Sequence, residues 1–195
     1  MPDSSTEPRP TPNIPSGGLF SPYGNATINA SASAVYHALI DTSTWPQWNT
    51  FVPSATITHQ PDQAKGSARM VEGTGLLLHV KMTSSFTTVS KEVVFQVDPP
   101  PSPGKVTRVC WHLDNKAILT PRFMLHADRV NEIEDHGDGT CEFRSWETFG
   151  GPLAKIVRWK YEKALQERFR DWVTDMKNYV EGKERNDIDD AGSPC

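Results

Sequence analysis

Four polar residues on two neighbouring stretches of this chain could do chemistry together. Arg122 to Glu134 and Thr140 to Phe149 read as a hairpin around His136-Gly-Asp-Gly139, the glycines supplying the turn. If Ile133 lies opposite Phe143, then Asn131 faces Ser145, Arg129 faces Glu147 and Ala127 faces Phe149. Alternation in strands then puts these polar residues on the same face as Phe123, Leu125, Ala127, Ile133, Phe143 and Phe149, the concave and buried side. An Arg and a Glu opposed on an apolar face must answer to each other, because either alone is costly to bury. Two readings follow. In one, Arg129 and Glu147 are a satisfied ion pair that fixes the sheet to the long C-terminal helix. In the other, they point into a cavity, where Arg129 stabilises negative charge on a ligand oxygen and Glu147 moves a proton.

The remaining candidates are aromatic. Trp48 closes a Trp45-Pro46-Gln-Trp48 turn and is either a core anchor or a wall that stacks on a flat ligand. Trp111 shares a face with Val109 and Leu113 and is core or cavity lining. Tyr161 lies on the apolar stripe of a helix, and its hydroxyl needs a partner if buried. Asn131, Trp48, Trp111 and Tyr161 are therefore the candidate ligand contacts, beside Arg129 and Glu147 as candidate catalytic groups. The six histidines fall out of phase with the buried faces or in loops, and no pair has metal-ligand spacing, so neither a metal nor a cofactor is expected. No nucleophile elbow, phosphate loop or dinucleotide glycine pattern occurs.

The elements that must hold these residues can be read from periodicity. A first strand is expected over 19–29. Ser31 or Ser33 caps a helix burying Val35, Tyr36, Leu39 and Ile40, and Trp45-Pro46 is expected to end it. Ala55 to His59 alternates like a strand. Leu76, Leu78, Val80 and Met82 share a face of the next, and Val93, Phe95 and Val97 a face of the one after. A proline-rich loop, Asp98 to Gly104, precedes a strand marked by Val109, Trp111 and Leu113. Gly151-Pro152 starts a final helix of about 30 residues, whose stripe runs Val157, Tyr161, Leu165, Phe169, Trp172, Met176. Such a one-sided helix must lie on the sheet.

The 195 residues suit one domain with loose ends: a disordered Pro-rich tail over 1–18, a folded domain over 19–181 and a disordered acidic tail over 182–195. A net charge of −4 without a basic block argues against nucleic acid, and no apolar run reaches the roughly 20 residues of a membrane helix. Three widely spaced cysteines imply no disulfide framework, so a cytoplasmic protein is expected.

Strand, helix pair, six strands and long helix make an α+β pattern with a curved antiparallel sheet of about seven strands. Ile28-x-Ala30-x-x-x-x-Val35, Asp41-x-x-x-Trp45-Pro-x-Trp48-Asn49, Arg129-Val-x-Glu132-Ile and Glu147-x-Phe149-x-Gly151-Pro-Leu carry a resemblance to a known family. They resemble the START-like (SRPBCC) superfamily of polyketide cyclases, lipid-transfer proteins and birch-allergen-like proteins, the coenzyme-Q-binding and polyketide cyclase/dehydrase branch above all. The resemblance spans about residues 20–181. It implies a helix-grip fold with an internal hydrophobic cavity for a polyketide-like or aromatic small molecule. It also implies either a polyketide cyclase/dehydratase-like enzyme, performing a cofactor-independent cyclisation, dehydration or isomerisation, or a non-catalytic lipid or quinone carrier.

Overall fold

The computed structural model describes residues 5–191, with side chains through residue 184. Seven strands form one antiparallel sheet: β1 (Tyr23–Ile28), β2 (Ser54–His59), β3 (Gly75–Lys81), β4 (Thr87–Val97), β5 (Val106–Leu113), β6 (His126–Asp135) and β7 (Cys141–Gly150). Their spatial order is β1-β7-β6-β5-β4-β3-β2. Two short helices, α1 (Ala32–Ile40) and α2 (Trp45–Trp48), link β1 to β2, and the long α3 (Ala154–Ala191) follows β7. This is the helix-grip architecture expected from the sequence.

The Ser31 hydroxyl accepts the Ala34 N–H and caps α1, which buries Val35, Tyr36, Leu39 and Ile40. The Trp45-Pro46 pair does not end this helix, contrary to expectation. The chain leaves α1 at Ile40, and Asp41 caps a single 3-10 turn over Thr42–Thr44. Pro46 then sits in the first turn of α2, where its missing N–H costs nothing.

Helix α3 crosses the concave face because β1 lets it come close. A Cβ on Gly24 would lie 2.3 Å from the Phe169 carbonyl oxygen, so only glycine fits there. Gln166 clamps the same contact: its Nε2 donates to Tyr23 O at 2.8 Å and its Oε1 accepts the Tyr23 N–H at 3.0 Å. Leu165, Phe169, Trp172, Met176 and Val180 are buried along the expected stripe.

The β6–β7 register is the expected one, with Ile133 opposite Phe143, Asn131 opposite Ser145, Arg129 opposite Glu147 and Ala127 opposite Phe149. Strand β4 departs from expectation. Its inner face carries Ser90, Glu92 and Val94, not Val93 and Phe95. The β4–β5 register shifts between Val94 and Gln96, and this extra residue reverses the facing of the strand before it. Val97, beyond the shift, lies opposite the buried Val109, while Phe95 stacks on His112 at 5.5 Å between ring centroids.

The ends also differ from the expected tails. Residues 5–18 have no regular secondary structure, yet they lie as a strap on the outer side of the sheet. Thr11 Oγ1 donates to Asp128 Oδ2 at 3.0 Å, Thr148 Oγ1 donates to Arg9 O at 2.7 Å, and Ile14 is buried. Helix α3 continues through Ala191 rather than yielding to a tail at 182. Residues 1–4 and 192–195 lie outside the described residues.

Candidate functional site

Between the inner face of the sheet and the first turns of α3 lies a cavity of about 290 Å³. Leu78, Val80 and Met82 of β3 and Leu165 of α3 give it an aliphatic wall. Its polar groups are few: Arg129, Glu147, Glu92, Ser90, Thr88 and Tyr161. Such a chamber, mostly apolar with convergent polar groups, has the form of a small-molecule site.

Arg129 stands at its inner end, buried to 3% exposure. The guanidinium carbon lies 4.1 Å from the ring centroid of Trp172, 4.3 Å from that of Phe169, and 5.4 Å from those of Phe51 and Trp111. These π-faces stand in for part of the lost hydration. Among the described residues Nε and Nη2 have no hydrogen-bond partner. Burial lowers the pKa of Arg129 to about 10, with Glu147 and Glu92 acting in the opposite sense, so it is cationic at neutral pH.

Glu147 faces Arg129 across the strand pair, yet among the described residues no ion pair within 4.0 Å joins Arg129 to a carboxylate. The pair is open, and both members line the cavity. Burial raises the Glu147 pKa to about 7; the Arg129 charge pulls it down and Asp128 pushes it up. A carboxyl with that pKa can both take and give a proton near neutrality.

Glu92 is the residue that sequence reasoning missed. It is buried, lines the same cavity, accepts a hydrogen bond from Ser90 Oγ on Oε1, and among the described residues has no partner on Oε2. Burial pushes its pKa well up, and the nearby Glu147 charge adds to this. The signal that could have found it was the β3–β4 hairpin: Leu76, Leu78 and Val80 face inward and lie opposite Glu92, Ser90 and Thr88.

The other candidates divide. Trp111 and Tyr161 line the cavity, and Tyr161 stacks on Phe86 at 6.0 Å with rings nearly parallel. Trp48 does not reach it. That ring packs on Trp172 at 5.3 Å and on Tyr179 at 6.1 Å, which makes it a core anchor. Asn131 does not reach it either. Its Nδ2 donates to Val109 O at 3.2 Å and its Oδ1 accepts from Ser145 Oγ at 2.8 Å, so it is satisfied within the sheet. Among the described residues no cluster of three or more His, Cys, Asp or Glu could hold a metal ion. No helix among them is long and apolar enough to cross a membrane.

No family model matches the chain. It is 37% identical over 190 residues to oxopyrrolidines biosynthesis cluster protein O of Penicillium oxalicum, covering 89% of this chain and 93% of that one. Its fold is similar to that of a START superfamily protein from Mycobacterium smegmatis, with a TM-score of 0.54 at 14% identity, over 84% of this chain and 98% of that one. It is also similar to the di-domain ARO/CYC protein BexL of the BE-7585A biosynthetic pathway, with a TM-score of 0.52 at 9% identity, over 80% of this chain and 47% of that one. The chain therefore belongs to the same family as oxopyrrolidines biosynthesis cluster protein O, and its fold is that of the START superfamily.

Proposed function

We propose that this protein binds an apolar, carbonyl-bearing small molecule, polyketide-like or aromatic, in the cavity, and moves a proton on it during a biosynthetic cyclisation, dehydration or isomerisation. The observation that carries this reading is the open Arg129–Glu147 pair: two buried, unpartnered guanidinium donors opposite a carboxyl whose pKa is about 7, at the end of an apolar chamber. In this scheme Arg129 Nε–H and Nη2–H bind the carbonyl oxygen and stabilise the enolate that forms. Glu147 takes the proton from the adjacent carbon and returns it elsewhere, while Trp111 and the aliphatic wall hold the molecule in a reactive shape. A relative from a gene cluster named for oxopyrrolidines, ring compounds with a carbonyl, supports the substrate class. So does the likeness in fold to an ARO/CYC protein of a biosynthetic pathway.

Native mass spectrometry of protein purified from its own host should show a bound small molecule. With that molecule in hand, Glu147→Gln should retain binding and lower turnover by about 10²-fold or more. Arg129→Gln should weaken both. Retained binding with no turnover in the parent protein would instead make it a carrier for a lipid or quinone. A chamber that takes up nothing from its host would end the proposal.

A further inference from the structure

The rim of the cavity carries a surface that the chamber chemistry does not use. Two segments meet there. Residues 114–125 join β5 to β6, and residues 151–161 enter and open α3. Leu153 N–H donates to Met124 O at 2.9 Å, and a Cβ on Gly151 would lie 2.6 Å from that same oxygen, so the segments are in direct contact. Leu125, Val157 and Tyr161, which belong to them, line the cavity.

Four bulky apolar side chains on these segments stand in water: Leu119 at 90% exposure, Trp159 at 86%, Phe123 at 73% and Ile156 at 57%. Leu119 is exposed at a further cost, because its backbone lies in the left-handed region at φ +53. Glycine would relieve that conformation and take an apolar side chain out of water. The turn is nevertheless held in place: Asn115 Nδ2 donates to Thr120 O and Leu125 O, both at 2.8 Å.

The charge on this rim is predominantly positive. The two segments contain Lys116, Arg122, Lys155, Arg158 and Lys160 against one carboxylate, Asp114, whose Oδ1 accepts the Lys116 and Ala117 N–H groups of its own turn, in a chain whose net charge is −4. Arg158 pairs with Glu162, just past the second segment. Exposed Trp, Phe, Leu and Ile interleaved with cations match the boundary between headgroups and acyl chains of an anionic bilayer. There a tryptophan ring sits at headgroup level and cations meet the anionic lipids.

We propose that this rim docks on an anionic lipid surface, with Leu119, Phe123, Ile156 and Trp159 entering the headgroup boundary and the five cations meeting the headgroups, so that the cavity mouth opens toward the bilayer. An apolar molecule then passes between membrane and chamber without crossing water. The docking holds whether the chamber catalyses or only carries.

The test is cosedimentation of the full chain with large vesicles at low salt, comparing pure phosphatidylcholine with a two-to-one mixture of phosphatidylcholine and phosphatidylserine. Binding to the mixture should be roughly tenfold tighter and should fade as salt is raised. Trp159→Glu, at a side chain already in water, should weaken binding roughly tenfold with an unchanged melting temperature. Leu119→Gly should also weaken binding while raising the melting temperature, a combination that damage to the fold cannot produce. Reversing Lys155 and Lys160 together to Glu should abolish the preference for phosphatidylserine. The proposal is overturned by absence of binding to the mixed vesicles, by equal binding to both compositions, or by binding that ignores Trp159→Glu. It is overturned equally if these substitutions disrupt only the capture of an acidic protein and vesicles bind nothing.

Discussion

The space under the curved sheet is divided into a half filled by rings and a half left open. Toward α1 and α2 it is filled by rings: Trp172 meets Trp45 and Trp48, each at 5.3 Å, Trp45 meets Trp111 at 6.2 Å, and Phe51 meets Phe169 at 5.7 Å. Toward the first turns of α3 the wall carries Leu78, Val80, Met82 and Leu165 beside the rings of Phe51, Trp111, Phe149 and Tyr161, and space remains. Arg129 sits on the border. Its guanidinium is caged by rings of the filled half, while it lines the open half with Glu147 and Glu92. The filled half therefore does two jobs. It supplies the rigidity that the open half lacks, and it lets a cation stay buried without closing an ion pair. A hollow fold can keep a reactive polar group dry only if some neighbouring region is packed tightly enough to hold it.

The largest effect is expected where that packing is removed. Trp172→Ala should cost about 3–5 kcal/mol in chemical denaturation, as deletion of a buried aromatic side chain does. It should also release Arg129 from its nearest ring. Leu78→Ala on the cavity wall should cost about 2 kcal/mol, the low end for a large-to-small change, because fewer neighbours lose contacts. Equal costs at the two positions would mean that the two halves are not mechanically different.

Protonation gives the next effect. The folded pKa of Glu147 is about 7, against an ordinary value of 4.5, so the folded chain holds a proton that the unfolded chain has released. In that window the folded state binds more protons, and stability must fall as pH rises. Stability from this group is fully present below about pH 4.5, declines from there to about pH 7, and is flat above. Glu147→Gln should reduce that decline in denaturation measured across the same range, leaving the part of the same sign that comes from Glu92, whose pKa burial also raises. A slope unchanged by the substitution would show that Glu147 is ionised throughout and unable to serve as the acid–base group.

The division between the halves also explains what could be read from the sequence. The β6–β7 register follows from alternation anchored by Ile133 and Phe143, which a slip of one residue would turn to solvent, so Arg129 and Glu147 could be placed opposite each other. Glu92 could not be placed from its own strand, because Val93, Phe95 and Val97 alternate plausibly and the irregularity at Val94/Gln96 leaves no mark in residue type. Asn131 shares a strand face with Arg129 but is bonded within the sheet, and Trp48 packs among the rings of the filled half; residue type and periodicity give a face without fixing the depth. The strap over 5–18 escaped because proline-rich sequence has no period, although Thr11 and the backbone of Arg9 find partners on Asp128 and Thr148.

A change that fills the open half should trade function for almost nothing in stability. Ala127 is buried, lines the cavity and lies opposite Phe149. Ala127→Leu would place new methyl groups in space that is already empty, so the melting temperature should move little, within about 1 kcal/mol of stability in either direction. Uptake of the native ligand should nevertheless be lost, as seen by native mass spectrometry. Retained uptake would place the ligand somewhere other than this chamber.

The smallest effect should come from one oxygen atom. Tyr161 lines the mouth, stacks on Phe86, and among the described residues its hydroxyl makes no hydrogen bond. Removing that hydroxyl breaks no hydrogen bond among the described residues, and the ring remains to stack. Tyr161→Phe should therefore leave stability within about 0.5 kcal/mol of the parent. Any loss of ligand affinity in this variant then measures a bond between the hydroxyl and the ligand, since nothing else in the site depends on that atom. Unchanged affinity would reduce Tyr161 to an apolar part of the mouth and leave Arg129, Glu147, Glu92, Ser90 and Thr88 as the groups that read the ligand's polar atoms.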